Sequence, residues 1–349
     1  FSLMNKLEID VAELLVKHIP SAEMVRFGKN GGDATTIAIK ISRAITGRQK
    51  IAFCGYHGWH DWYLAANLKN KKNLNEHLLP GLQTGGVNDK LKGSIFPFRY
   101  NDFDGLRRIV NKNKEIGIIK MEVIRNEFPK NNFLKKVRKL ATQKNITLIF
   151  DECTTGFRET FGGIHKIFKV EPDTMMLGKA LGNGYAITAV IGKKEIMKCI
   201  NNTFISSTFW TERIGPTAAL QTLEEMEKIK SWELITNTGN QIRKNWEDLA
   251  KRNNIKIQIA GLPALSSFAI LSNDWLKYKT YITQEMLKTN ILASNAIFVC
   301  TKHNKKILDT YFNRLDEILK KISKFENKNL NIDSELNSEL CQIGFKRLN

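Results

Sequence analysis

The stretch from residue 116 to residue 152, IGIIKMEVIRNEFPKNNFLKKVRKLATQKNITLIFDE, decides the fold class. Residues 116–124 and 146–152 are short, largely apolar runs that are typical of buried strands. Residues 131–145, between them, carry apolar side chains at helical spacing. Because strands that alternate with helices build parallel sheets, this stretch predicts an α/β domain.

The same alternation continues on both sides of this stretch. Helices are predicted over residues 7–18, 33–47, 102–113 and 215–232, and strands over residues 50–55, 173–178 and 187–192. Asp33 is interpreted as the N-cap of its helix and Gly47 as the residue just past its end. Residues 64–98 are polar and contain several glycines and Pro80, so they are predicted to form a long irregular loop.

The C-terminal part of the chain is predicted to form a second, smaller domain. From about residue 235 it contains a helix, two short strands and a final helix over residues 306–324. We therefore expect an α/β fold with a central, mostly parallel sheet flanked by helices, and a smaller C-terminal α+β domain. The expected limits are 1–232 for the large domain, 233–325 for the small domain and 326–349 for a polar, loosely attached tail.

Composition narrows the classes of function. The net charge of +19 arises from 54 Lys and Arg against 35 Asp and Glu, but these residues are scattered and form no basic block interleaved with aromatics. This pattern favours compositional bias over nucleic-acid binding. No run of about 18 apolar residues occurs, so no membrane span is predicted. The five scattered cysteines indicate free thiols in a reducing cytoplasm.

Two charged residues stand at predicted strand ends, where ligands of open α/β sheets bind. Lys179 lies between two apolar strands, and apolar surroundings would lower the pKa of its amine and let it form a Schiff base with an aldehyde. Taken alone, an exposed turn lysine is the commoner case. Asp151 ends a buried strand and could pair with a protonated pyridine nitrogen. Taken alone, a capping acid is the commoner interpretation.

Two further segments add weaker indications. The turn around Gly31, Gly32 and Asp33 precedes a helix, whose N-terminus favours a phosphate, although an ordinary capped glycine turn has the same sequence. Tyr56, in CGYHGWHDWY, could stack on a planar ring with His57 beside it, or belong to a packed aromatic cluster. His57 and His60 are three residues apart without an evident third ligand, so no metal site is predicted. Together, these features suit an aldehyde cofactor that carries a phosphate, a flat ring and a pyridine nitrogen.

The sequence resembles the class III aminotransferases of the pyridoxal-phosphate fold-type I group, and within it the glutamate-1-semialdehyde 2,1-aminomutases and their relatives. The matching segments lie between about residues 8 and 323, and they are PSAEMVRFGKNGGDATTIAIKISRAITGRQKI, CGYHGWHDWY, IFDECTTGFRETFGG, PDTMMLGKALGNGYAITAVIG and ITQEMLKTNILASN. The resemblance implies that pyridoxal 5′-phosphate is the cofactor and that the substrates are a small-molecule amino donor and a carbonyl acceptor.

The resemblance also implies residue roles. Lys179 would be the Schiff-base lysine and proton shuttle, and Asp151 would pair with the pyridine nitrogen. Gly31, Gly32 and Asp33 would surround the phosphate, Tyr56 would stack on the ring with His57 beside it, and Glu122 would lie near the pocket. Thr208 would reach the phosphate of a neighbouring subunit, which implies a homodimer with shared active sites.

Other interpretations stay open at this point. Family members normally carry a further N-terminal portion before the segment that matches Phe1, so we expect that portion to be missing here. Besides amino transfer, the candidates are an N-terminally truncated, weak or silent homologue and another carbanion reaction on the same cofactor, such as racemisation or decarboxylation.

Overall fold

The computed structural model describes residues 4–77, 80–327 and 330–342. Between Lys230 and Ser231 the chain divides into two compact units, which we call the large unit and the small unit. Leu78 and Leu79 of the predicted loop, and residues 328–329 and 343–349 of the predicted tail, lie outside the described residues. Within the described ranges, none of the helices combines the length and apolarity that crossing a membrane requires.

The described part of the large unit is built on a seven-stranded sheet. Its strands are β1 (Met24–Gly28), β2 (Lys50–Cys54), β3 (Ile95–Pro97), β4 (Ile116–Glu122), β5 (Thr147–Asp151), β6 (Thr174–Leu177) and β7 (Thr188–Gly192). They are ordered β1-β7-β6-β5-β4-β2-β3. Strands β6, β5, β4, β2 and β3 are parallel, whereas β7 is antiparallel to both of its neighbours. The predicted α/β fold with a mostly parallel sheet is confirmed.

Helices of the large unit flank this sheet. They are α1 (Lys6–His18), α2 (Gly31–Thr46), α3 (Asp61–Leu64), α4 (Ala66–Lys69), α5 (Phe103–Lys112), α6 (Phe133–Gln143), α7 (His165–Phe168), α8 (Lys194–Met197) and α9 (Ile214–Ile229). Helix α2 packs on β4, β6 and β7, and buried Ile37, Ile41, Phe53, Ile118 and Val190 belong to one core. This packing fixes the N-terminus of α2 relative to the strand ends.

Three sequence interpretations need correction in the large unit. Asp33 is not the N-cap of α2: Asn30 caps it, and the carboxylate of Asp33 accepts a hydrogen bond from the backbone N–H of Asn30 in a capping box. The predicted helix 215–232 ends at Ile229, because Lys230 adopts a left-handed conformation before the next helix begins. Residues 64–98 are not wholly irregular, since they include α4 and β3, and β3 extends the sheet beside β2.

The small unit contains helices and an antiparallel sheet ordered β10-β9-β8. Its elements are α10 (Ser231–Arg252), β8 (Ile257–Leu262), β9 (Leu265–Ile270), α11 (Trp275–Leu287), β10 (Ala296–Phe298) and α12 (Lys305–Glu326). The described tail is not loosely attached, because Cys341 and Asn337 donate backbone hydrogen bonds to Thr280 and Gln284 of α11. Ile332 of the tail is also buried in the core of the unit.

The strand directions bring the predicted site residues to one edge of the large sheet. Strands β1, β2, β4, β5 and β6 run in the same direction and end at Gly28, Cys54, Glu122, Asp151 and Leu177. The residues that follow these strands therefore lie along this carboxyl edge, where open α/β sheets bind ligands.

Candidate active site

Asp151, the last residue of β5, lies at the centre of a buried polar cluster. Its Oδ2 accepts a hydrogen bond from Lys120 Nζ at 2.5 Å and lies 2.9 Å from His57 Nδ1. Its Oδ1 accepts a hydrogen bond from the backbone N–H of Cys153 at 3.2 Å. A carboxylate has about four acceptor positions, so Oδ1 retains capacity for one further donor.

Lys120 is a member of this cluster that the sequence analysis missed. It lies within β4, and its side chain is 0% exposed. Its Nζ forms a hydrogen-bonded ion pair with Asp151 and lies 3.0 Å from His57 Nδ1. A fully buried ammonium requires a counter-ion, which Asp151 supplies. The signal was present in the sequence, because Lys120 interrupts the apolar run IGIIKM in a strand that is buried at every residue.

The pKa values of the cluster follow from this arrangement. Burial alone would raise the pKa of Asp151, but the charge of Lys120 and the contacts with His57 outweigh burial and lower it. Burial, followed by the charge of Lys120, lowers the pKa of His57 to about 4. The ring is therefore neutral near pH 7. Its single N–H can serve either Asp151 or the carbonyl of Cys54, which lies 3.1 Å from Nε2.

Lys179 follows β6 at the same edge and begins a short 3₁₀ turn, Lys179–Leu181. The strands on either side of it are buried as expected, but its own side chain is exposed, so the predicted apolar surroundings are wrong for this chain. The turn carries the amine outward beyond the strand, where Nζ donates to Thr154 Oγ1 at 2.7 Å. Lys179 also has φ 44°, a strained conformation of the kind that clusters at functional sites.

The glycine turn precedes α2 at the same edge. Asp33 Oδ2 accepts hydrogen bonds from the backbone N–H groups of Lys29 and Asn30 at 3.3 Å, so its charge is directed at its own turn. Among the described residues, no acceptor meets the backbone N–H groups of Gly31 and Gly32. These two amides, at the positive end of a 16-residue helix, can bind an anion.

Tyr56 and Glu122 meet beside the Asp151 cluster. The backbone N–H of half-buried Tyr56 donates to Glu122 Oε2 at 3.1 Å, and a Cβ at Gly55 would lie only 2.5 Å from that oxygen. Glycine at position 55, with φ 109°, therefore permits this close approach. Burial raises the pKa of Glu122, although Arg125 Nη1 lies 2.5 Å from Oε1. The structure thus places Tyr56 and Glu122 together at the carboxyl edge, and their roles toward a cofactor stay predictions.

Thr208 stands apart from these residues. It is exposed and begins a single 3₁₀ turn, Thr208–Thr211. Its neighbours in sequence include the exposed apolar side chains of Phe204, Phe209 and Ile214, of which 84%, 73% and 66% are accessible. The structure of one chain therefore presents Thr208 outward, next to apolar surface.

Glu152, the residue after β5, anchors a separate buried cluster. Its Oε1 lies 2.7 Å from His165 Nδ1 and accepts the backbone N–H of His165 at 3.0 Å, while Oε2 accepts from Ile164 N and Thr155 Oγ1 at 2.6 and 2.9 Å. His165 Nε2 lies 3.5 Å from Glu171 Oε2, a looser ion-pair contact. Burial alone would lower the pKa of His165, but the two carboxylates outweigh it and raise this pKa to about 9.

The amino-acid sequence matches the family model "Aminotransferase class-III" over residues 2–307. The chain belongs to the class-III aminotransferase family. Pyridoxal phosphate, the cofactor of this family, is therefore the cofactor of this aminotransferase. The enzyme class and the cofactor expected from the resemblance are both confirmed.

Two relatives illustrate the range of activities within the family. The chain is 32% identical over 337 residues to the 3-aminobutyryl-CoA aminotransferase of Cloacimonas acidaminovorans, covering 93% of this chain and 77% of the relative. It is 30% identical over 342 residues to the glutamate-1-semialdehyde 2,1-aminomutase of Sulfurisphaera tokodaii, covering 91% of this chain and 80% of the relative.

Solved structures share the fold of this aminotransferase. An omega-transaminase from Sphaerobacter thermophilus superposes with a TM-score of 0.80 at 24% identity, covering 91% of this chain and 79% of that structure. The FumI protein of Sphingopyxis sp. MTA144, solved with pyridoxal phosphate, gives a TM-score of 0.83 at 21% identity, covering 93% and 78%. These likenesses confirm the predicted fold-type I architecture.

The residues at the carboxyl edge fit the chemical groups of pyridoxal phosphate. The unpaired amides of Gly31 and Gly32 suit the phosphate, because a helix N-terminus favours an anion. The remaining acceptor position of Asp151 Oδ1 suits a protonated ring nitrogen. The exposed primary amine of Lys179 is the nucleophile that an aldehyde requires. The aminotransferase thus offers a complementary group for the phosphate, the ring nitrogen and the aldehyde of the cofactor.

Proposed function

We propose that this aminotransferase moves an amino group between an amine or amino acid and a carbonyl compound, in the manner of glutamate-1-semialdehyde 2,1-aminomutases. The observation that carries the proposal is the placement of the Lys179 amine and the buried Asp151 carboxylate at one sheet edge. The relatives support it, since one is named for 3-aminobutyryl-CoA and the other for glutamate 1-semialdehyde.

Pyridoxal phosphate, when bound, supplies an aldehyde carbon and an electron-withdrawing ring. Lys179 would hold the aldehyde carbon until an incoming amine displaces its Nζ. The freed Nζ would then take a proton from the substrate α-carbon as a general base and deliver it as a general acid. The exposed position of Lys179 supports this role, because the amine can meet a substrate that arrives from solvent.

The other residues would bind and orient the cofactor. Asp151 would accept a hydrogen bond from the protonated ring nitrogen, and its orientation is held by Lys120, His57 and the amide of Cys153. Tyr56 would pack on the ring from the loop after β2. The large unit would thus be the cofactor-binding domain. Five free cysteines support the further proposal that the enzyme works in the reducing cytoplasm.

Amino transfer is tested by supplying the protein with pyridoxal phosphate and following consumption of the cofactor aldehyde across a panel of amines and amino acids. We expect at least one amine to give transfer with the wild type and with Lys194→Ala, which removes an exposed lysine of the same unit. We expect Lys179→Ala to abolish it. Binding of the cofactor without transfer from any amine would favour a silent homologue. Conversion of an amino substrate into its isomer, without any added carbonyl acceptor, would identify an aminomutase.

We propose that the enzyme is a homodimer in which Thr208 reaches the phosphate bound by the partner. Its exposed position beside Phe204, Phe209 and Ile214 supports this, because exposed apolar patches mark association surfaces. Sedimentation velocity should show a dimer. Thr208→Ala should weaken pyridoxal-phosphate binding several-fold without changing the sedimentation coefficient. A monomer that binds the cofactor fully would contradict the proposal.

A further inference from the structure

We propose that Lys120 sets the protonation state of the cofactor's ring nitrogen by competing with that nitrogen for the negative charge of Asp151. Lys120 would act through Asp151, so it is a positioning residue rather than a catalytic one. The inference rests on the proposed role of Asp151.

The geometry leaves Lys120 no other counter-ion among its described contacts. Its Nζ lies 2.5 Å from Asp151 Oδ2 and 3.0 Å from His57 Nδ1, and the side chain is 0% exposed. The register of β4 on β5 pairs Lys120 with Ile149 and Glu122 with Asp151. Side chains two residues apart on a strand share a face, so Lys120 reaches Asp151 from deeper within the sheet. Oδ1 accepts the amide of Cys153, whose thiol also lies against Asp151, and it keeps the capacity to accept from a ligand at the open edge.

The charges of the cluster then decide how tightly a ring proton is held. A protonated ring nitrogen next to Asp151 would be a second cation facing a carboxylate that already neutralises Lys120. Like charges within a few ångströms disfavour each other's charged forms, and burial strengthens the effect. Glu122, a further acidic side chain that interacts with Asp151, is itself paired with Arg125, so it offsets little of this repulsion.

The charge of Lys120 acts on His57 in the direction that we infer for the ring. His57 lies 2.9 Å from Asp151 Oδ2, a contact that by itself would favour the protonated imidazole. Burial and the charge of Lys120 nevertheless lower the pKa of His57 to about 4. A ring nitrogen that contacts the same carboxylate would face the same ammonium. It would therefore hold its proton less firmly than it would beside an aspartate that has no other cationic partner.

The functional consequence concerns which reaction the site favours. A less protonated ring withdraws electrons from the substrate α-carbon less strongly. More electron density then stays on the α-carbon, so the proton that Lys179 has removed tends to return to that carbon, which favours exchange of the α-proton over amino transfer. Removal of the Lys120 charge should therefore lower the ratio of α-proton exchange to amino transfer.

The test uses the holoenzyme loaded with pyridoxal phosphate that carries ¹⁵N in its ring. The ¹⁵N chemical shift separates a protonated from a neutral pyridine nitrogen, whatever the activity. The variant is Lys120→Met, which keeps the length of the side chain without its charge, and the control is Lys112→Met, at the exposed end of α5. Spectra are compared at neutral and mildly alkaline pH.

We expect the wild-type and control resonances to lie between the protonated and neutral limits. In Lys120→Met the equilibrium should shift toward the protonated form by at least about tenfold, which corresponds to one pKa unit. If Lys120→Met fails to fold, the wild-type resonance decides alone. A wild-type resonance at the protonated limit at every pH would overturn the inference and leave the proposed function standing. Failure of the wild type to bind the cofactor at all would contradict both.

Discussion

Asp151 and Glu152 are neighbours in the chain, yet they anchor two buried clusters whose balances of acidic and basic side chains are opposite. Asp151 is shared by two basic side chains, Lys120 and His57, and keeps one acceptor position free. Glu152 is saturated by four contacts from residues 155–165, and its partner His165 is shared by two carboxylates. The difference separates a cluster that can accept another donor from one that ties a loop to a strand.

The two histidines report this difference. His57 and His165 both have buried side chains, but the pKa of His57 falls to about 4 while that of His165 rises to about 9. Burial lowers both values, so the sign is decided by the neighbours: an ammonium and one carboxylate for His57, and two carboxylates for His165. The comparison predicts that changes at Asp151 affect chemistry most, and changes at Glu152 affect stability most.

Asp151→Asn should produce the largest effect on activity. An amide cannot neutralise Lys120, so a protonated ring nitrogen would face an unopposed cation. We expect kcat for amino transfer to fall by about 10³-fold or more, as expected for loss of a buried electrostatic contact to the reacting group. Steady-state kinetics at saturating cofactor measures this fall in kcat. A kcat of Asp151→Asn within tenfold of the wild type would show that Asp151 does not have the proposed role.

Glu152→Gln should act on stability instead. The substitution leaves His165 without one of its two carboxylates in a buried site, and breaking a buried ion pair costs about 3 kcal/mol. Urea unfolding should show this loss in the free energy of unfolding, while kcat per folded molecule stays within a few-fold of the wild type. A catalytic loss equal to that of Asp151→Asn would erase the distinction between the two clusters.

The pH dependence of stability should differ in sign between the two histidines. The pKa of His165 in the folded protein lies above its ordinary value of 6.5, so its contribution is complete below pH 6.5 and is lost as the pH rises through about 9. This amounts to at most about 3 kcal/mol. His165→Gln should flatten the loss of stability between these pH values in urea titrations, and an unchanged slope would show that His165 is not protonated in the folded protein.

His57 supplies the matched comparison. Its folded pKa is lowered, so its contribution to stability is complete above pH 6.5 and is lost as the pH falls through about 4. His57→Gln should therefore change the acid side of the stability profile and leave the alkaline side unaltered. Direct titration of both imidazoles by NMR measures the two values in one sample.

Thr155→Val should give the smallest effect. Thr155 Oγ1 donates to Glu152 Oε2 at 2.9 Å, and loss of one such hydrogen bond costs about 1 kcal/mol. Chemical unfolding should resolve this loss, with amino transfer unchanged. A loss of activity would show that the Glu152 cluster also positions the reacting groups.

Much of the fold could be predicted because it follows from local patterns. The apolar runs that became β4 and β5, and the helix between them, are sufficient to indicate a parallel sheet. Parallel strand ends then place Asp151 and Lys179 at one edge without further information. Gly47, with φ 63°, ends α2 as its position in the sequence indicated.

What could not be predicted depends on contacts between distant residues or on small shifts of register. The pairing of Lys120 with Asp151 spans 31 residues, and no local pattern specifies it. The cap of α2 is Asn30 rather than Asp33. The sequence could not distinguish them, because acids and amides both cap helices and only the hydrogen bonds identify the residue that does so. The exposure of Lys179 depends on the 3₁₀ turn that carries it beyond the buried strand.

We propose that Lys179 holds the cofactor, and covalent trapping tests this role most directly. The protein is supplied with pyridoxal phosphate, reduced with borohydride, digested, and mapped by mass spectrometry. We expect the pyridoxyl-phosphate mass on the peptide that contains Lys179, and none on that peptide in Lys179→Ala. Specific modification of a different lysine, Lys120 included, or no modification of the wild type at saturating cofactor would contradict the account.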